Sequence, residues 1–112
     1  MPLAHMMCIP CEGGAKPLSP ERIAELRIQI PDWEADQRPG MLTRRYRFSD
    51  FVGTIAFVNQ MAALAEEQGH HPDFCVHYDM LDVQLTTHAI RGLSENDFIM
   101  AAKLEALASS LR

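Results

Sequence analysis

The chain contains no apolar run near the roughly 18 residues that a membrane-crossing helix requires, and no repeat or low-complexity tract. Its N-terminus lacks the charged-then-apolar pattern of a signal peptide, so a cytoplasmic location is expected. Positive charge is also short. Ten Lys and Arg stand against fifteen Asp and Glu, a net charge of -5. That balance argues against a nucleic-acid surface, because phosphate contacts need clustered cations. The nearest approach to a cluster, Arg44, Arg45 and Arg47, falls inside an expected strand and reads as solvated strand positions. Three cysteines in 112 residues make no disulfide framework. Cys8-Ile9-Pro10-Cys11, behind His5, could be half of a zinc site or a redox pair. No second half follows, and Cys75 lies far off in an apolar run, so the segment reads as an unliganded lead-in.

What is present fits one domain with one core: 112 residues, 47% of them hydrophobic. Residues 1–17, with Pro2, Pro10, Gly13, Gly14 and Pro17, form an irregular N-terminal segment, and 18–112 form the domain. Ser19-Pro20-Glu21 opens a helix: a cap, a first-turn proline and an acid at the positive end of the dipole. Ile23, Leu26 and Ile30 recur at helical spacing until Pro31. A strand beginning at Trp33, turn chemistry at Gln37-Arg38-Pro39-Gly40 and alternation over Met41–Phe48 predict a hairpin. Ser49 is expected to cap a second helix running to Gln68, with an apolar stripe of Phe51, Ile55, Val58, Ala62 and Ala65. Thr54, Phe57, Met61 and Leu64 form a second stripe alongside. Burial against the chain's own sheet and packing on a partner subunit both account for this double stripe. Gly69 ends the helix in the left-handed conformation. Phe74, Val76 and Tyr78 alternate as a third strand, Asp79-Met80 turns, and Leu81, Val83 and Leu85 alternate as a fourth. A last helix carries Met100, Leu104, Leu107 and Leu111. The order helix, two strands, helix, two strands, helix predicts an α+β fold: a four-stranded antiparallel sheet with three helices packed on one face.

Four of five histidines, His70, His71, His77 and His88, fall close together in the sequence. His70 and His71 follow a helix end and His88 a strand end, where a rigid scaffold presents side chains to ligands. Imidazole is the side chain best matched to proton transfer near neutral pH. Zinc is the competing use of three histidines. Adjacent histidines on an extended segment point apart, however, and no His-x-x-x-His pair lies on a helix, so metal-free acid/base chemistry is the reading taken. His77 has the opposite strand parity to Phe74, Val76 and Tyr78 and is read as a surface residue. Ser94-Glu95-Asn96-Asp97 matches a capping box, so Asp97 can tie the last helix's N-terminus. Glu66, one turn before Gly69, can orient a histidine or only solvate the helix.

Taken together, Glu66, His70-His71-Pro72, Tyr78, His88 and Asp97, at their spacings, resemble the signature of the pterin-4a-carbinolamine dehydratases. Leu85-Thr86-Thr87-His88 followed by Gly92-Leu93-Ser94 is similar to a second segment of that family. Leu18-Ser19, Trp33 and Phe48–Phe57 also match, so the resemblance covers about residues 18–108. It implies a homodimer or homotetramer and a 4a-hydroxytetrahydropterin substrate, the carbinolamine left by aromatic amino acid hydroxylases. It implies no cofactor and no metal. Carried over residue by residue, it makes His70, His71 and His88 catalytic, with His71 and His88 as the acid/base pair. Pro72, Asp73, Thr87 and Ala89 become substrate-binding residues, supported by Glu66 and Asp97. A binding or dimerisation module, and a paralogue acting on another pterin, are the alternatives to that reading.

Overall fold

The computed structural model describes residues 2–9, 16–36 and 40–111. Helix α1 spans Pro20–Arg27, and the Ser19 hydroxyl accepts the Arg22 N–H as its cap. Strands β1 (Glu34–Asp36) and β2 (Met41–Arg47) pair antiparallel, with Ala35 opposite Leu42. The turn expected at Gln37–Pro39 lies outside the described residues. Helix α2 runs Phe51–Gln68, and β3 (Asp73–His77) and β4 (Met80–Leu85) follow as a second hairpin. Helix α3, Glu95–Leu111, closes the chain.

The two hairpins join through β2 and β4, giving the antiparallel order β1-β2-β4-β3. Leu42 faces Leu85 and Tyr46 faces Leu81 across this central pair. Leu42, Tyr46, Leu81, Val83 and Leu85 are buried with residues of all three helices, while Thr43, Arg45, Asp82 and Gln84 occupy the opposite, open face. The period-two alternation thus becomes one covered and one open face, as the α+β reading requires. On the open face Arg45 holds the Asp82 carboxylate at 2.7 Å and keeps its pKa below the ordinary value.

Besides its apolar packing, helix α3 meets the sheet side of the fold through one carboxylate oxygen. Glu105 Oε1 accepts the Trp33 indole N–H, the Arg44 Nε–H and the Tyr46 hydroxyl at 2.9, 2.9 and 2.8 Å. Burial, reinforced by the neighbouring Glu105 charge, pushes the Tyr46 phenol well above its usual pKa.

Some local details differ from the sequence reading. The α2 cap is Asp50, whose carboxylate accepts the Gly53 N–H at 2.8 Å, rather than Ser49. The buried α2 stripe is Thr54, Phe57, Met61, Ala65 and Gln68, whereas Phe51 and Ala62 are exposed. The β3–β4 turn centres on Tyr78 and Asp79, with Tyr78 at φ 53°, one residue earlier than expected. Within the lead-in, Leu3–His5 forms a 3-10 turn whose Leu3 side chain joins the core. An apolar anchor this near the terminus carries no periodicity by which sequence could find it.

Candidate active site

Three chain segments meet where α2 ends, β4 ends and α3 begins. Gly69, at φ 66°, stops α2, and its N–H and that of His70 both donate to Ala65 O. A Cβ on Gly69 would meet nothing within 4 Å, so glycine is required there for its backbone conformation rather than for space. The reversal delivers His70 inward and His71 outward.

His70 is part of the fold's interior. Its Nε2 stands 2.6 Å from Asp97 Oδ1, its side chain is 12% exposed and that of Asp97 is 0% exposed. Asp97 Oδ2 also accepts the Thr87 hydroxyl at 2.7 Å and the Ser94 N–H at 2.9 Å. The second of these bonds is the return half of a capping box, so Asp97 both starts α3 and aims His70. With Asp97 ionised, His70 Nε2–H is the donor to it. Three donors on a wholly buried carboxylate supply what burial removes.

Thr87 is brought here because β4 has run out. Its backbone bridges to Gly92 around the His88–Ile90 3-10 turn, and Arg91 adopts φ 53°. Gly92 has no room for a side chain: a Cβ would fall 2.7 Å from Pro17 Cβ. This close approach explains the glycine of the Gly92-Leu93-Ser94 segment.

The other two histidines stand in water. His71 is 60% exposed, and its Nε2 lies 2.5 Å from Oε2 of an exposed Glu66. His88 is 82% exposed, and its Nε2 is 3.9 Å from Asp73 Oδ2, beyond hydrogen-bond reach.

His70, His71, His88, Thr87 and Ala89 line one cavity of about 290 Å³, together with Ile9, Gly69, Thr86 and Asn96. Glu66 and Asp97 back His71 and His70. Pro72 and Asp73 are not on the cavity wall; Asp73 faces His88 from the start of β3. His77 lies outside it, 3.4 Å from Asp82. Sequence reasoning missed Ile9 and Asn96 as site residues. Asn96 was visible only as a filler inside the capping box, and nothing in a Cys-Ile-Pro-Cys stretch marks Ile9. Larger hollows exist, of about 550 Å³ on the open sheet face and about 490 Å³ between α2 and α3, but neither is lined by a histidine. Among the described residues no group of three or more His, Cys, Asp and Glu is arranged to hold a metal ion. The histidine cavity therefore offers imidazoles and hydroxyls around a small concave site, the equipment of proton transfer.

Known proteins are similar to this chain in sequence and in fold. The sequence pattern of the family described as pterin 4 alpha carbinolamine dehydratase matches residues 16–107. A protein of Stenotrophomonas maltophilia named "Putative pterin-4-alpha-carbinolamine dehydratase" is 48% identical over 111 residues, 99% of this chain and 96% of that one. The crystal structure of a transcriptional coactivator/pterin dehydratase from Brucella melitensis is similar at a TM-score of 0.78 and 32% identity, covering 83% of this chain and 99% of the other. A pterin dehydratase-like protein described as a RuBisCO assembly factor in the alpha-carboxysome is similar at 0.61 and 31%, over 69% of this chain and 89% of that one. With a matching pattern over most of its length and a close relative over nearly all of it, the chain belongs to the pterin 4 alpha carbinolamine dehydratase family.

Proposed function

We propose that the chain is a hydro-lyase that converts a 4a-hydroxytetrahydropterin to the quinonoid dihydropterin and so recycles the pterin cofactor of aromatic amino acid hydroxylases. The observation that carries this reading is the convergence of His70, His71 and His88 on one cavity in a chain of this family. The C4a hydroxyl is a poor leaving group until protonated. An imidazolium gives it a proton, the C4a–O bond breaks and water leaves. A neutral imidazole takes the N5 proton, and the N5 electron pair becomes the C4a=N5 bond. Atoms and charge balance without an oxidant or reductant.

His71 and His88, which solvent reaches, serve as the acid/base pair in this scheme. His70, fixed by Asp97, orients the carbinol or acts as a third acid/base group. Thr87 and Ala89 are binding residues on the wall, and Pro72 and Asp73 shape the approach beside His88. The protein is cytoplasmic and works as a homodimer or homotetramer.

A spectroscopic assay of carbinolamine dehydration tests the proposal. Wild-type protein is expected to accelerate the reaction and a His71→Ala/His88→Ala double variant is not. Full activity in the double variant would sink the scheme.

A binding module is the second reading, favoured by one observation. Phe51 and Tyr78 stack at 6.2 Å on the surface, with Val52 and Phe74 exposed as well. Sedimentation separates the cases: a stable homo-oligomer can occupy that face, whereas a monomer leaves it open for another protein.

A further inference from the structure

The segment ahead of α1 is tied into the site. The Leu3 N–H donates to Gln29 Oε1 at 2.8 Å, and Lys103 Nζ donates to Ala4 O at 2.9 Å. Beyond these anchors the segment reaches the histidine cavity. There the Cys8 N–H donates to Gln68 Oε1 at 2.9 Å, and the Cys8 thiol donates to Asn96 O at 3.6 Å. The Ile9 N–H donates to Asn96 Oδ1 at 3.0 Å, and the Asn96 amide returns a hydrogen bond to Ile9 O.

The residues that hold it are the neighbours of the catalytic machinery. Gln68 is the last residue of α2, just before Gly69-His70, and Asn96 precedes Asp97 in the first turn of α3. Both carboxamides are buried, and both spend polar atoms on the backbone of this one segment. A buried side-chain amide that pairs with both the N–H and the C=O of one residue fixes that residue as a strand partner would.

The residue so fixed is Ile9, which lies on the cavity wall and is 72% exposed. Exposed isoleucine gains nothing from water, and its contribution comes when a ligand covers it. Among the residues that line this wall, Ile9 is the one large aliphatic side chain; the others are imidazoles, Thr86, Thr87, Asn96 and the small Gly69 and Ala89.

We infer that Ile9 is a substrate-contacting residue that supplies an apolar surface for the face of the ligand's planar ring, and that Asn96 and Gln68 are its positioning residues. The inference rests on the dehydratase reading given above. Ile9 then acts on binding rather than on the proton transfers, so its loss alters KM and leaves kcat in place.

Steady-state kinetics on the carbinolamine, with inhibition by a 7,8-dihydropterin as a second measure of binding, tests this. Ile9→Ala is expected to raise KM and the inhibition constant roughly three- to tenfold, with kcat within about twofold. Ile9→Val should restore most of the loss. Asn96→Ala should reproduce the rise, and the Ile9→Ala/Asn96→Ala double variant should add little, because both changes remove one surface. Ile9 is exposed, so its variants should keep the wild-type thermal transition. Unchanged KM and inhibition constant in Ile9→Ala, with wild-type protein active, would overturn the inference and leave the dehydratase reading standing. An inactive wild-type protein would overturn both.

Discussion

On one side of the cavity His70 is 12% exposed and rests on an Asp97 that is wholly buried; on the other, His71 and His88 are 60% and 82% exposed. The inner pair shares its carboxylate with Thr87 and Ser94, and so with the end of β4 and the start of α3. The outer pair faces Glu66 and Asp73, carboxylates that solvent also reaches. The inner histidine is therefore a part of the fold, and under the proposed scheme a part of the chemistry as well. The outer two are exposed and cost the fold little. One residue type, in one cavity, should yield two different mutational signatures.

The largest expected effect lies on the outer side. His71→Ala and His88→Ala should each lower the dehydration rate by roughly a hundredfold or more. Their folding stability should stay within about 0.5 kcal/mol of wild type. Kinetics and urea denaturation on the same samples read both. A large stability loss in either variant would erase the contrast.

Asp97→Ala comes next and should do the opposite. It strands the Ser94 N–H and the His70 ring and takes from the Thr87 hydroxyl one of its two partners, at about 3 kcal/mol of stability. The thermal midpoint should fall by roughly 10 °C or more. Activity measured well below that midpoint should fall as well, since His70 loses its orientation.

Glu66→Gln should act more weakly, because an exposed pair contributes about 0.2–1 kcal/mol. A rate loss of less than about tenfold with an unmoved thermal transition is expected. A loss equal to that of His71→Ala would show that Glu66 belongs to the reacting set.

The smallest effect lies outside the cavity, on the open face of the sheet. Arg45 holds the Asp82 carboxyl below its ordinary pKa. The stability this contributes is present above about pH 4 and is lost as pH falls through the folded value. The stability gap between wild type and Arg45→Ala should therefore narrow on acidification below about pH 4, measured by urea midpoints. Dehydratase activity at neutral pH should not change.

Sequence exposed what short-range rules govern. The α1 start at Ser19-Pro20, the stop at Gly69 and the capping role of Asp97 follow from backbone groups that need partners. That His70 and His88 sit at element ends was also legible; that they share one site was implied only by the resemblance to the dehydratase signature, since loop ends alone do not say which loops meet. Which α2 stripe faces the core was not, since two adjoining apolar stripes satisfy the same periodicity and only the partner surface selects Phe57 and Met61. Nor could spacing show that Asp97 meets His70, or that Ile9 reaches Asn96, because both contacts depend on how separate elements dock. Local rules identify groups that need partners, and tertiary packing decides who those partners are.

The indole held by Glu105 offers a practical consequence. Trp33 is the sole tryptophan, it is wholly buried, and the Tyr46 ring meets it edge-on at 6.3 Å. Its emission reports whether α3 is seated on the sheet. Trp33 is not on the cavity wall, so its emission follows folding rather than occupancy of the cavity. Melting of the domain can thus be followed in a single cuvette with no label attached, by a residue that cavity variants leave untouched.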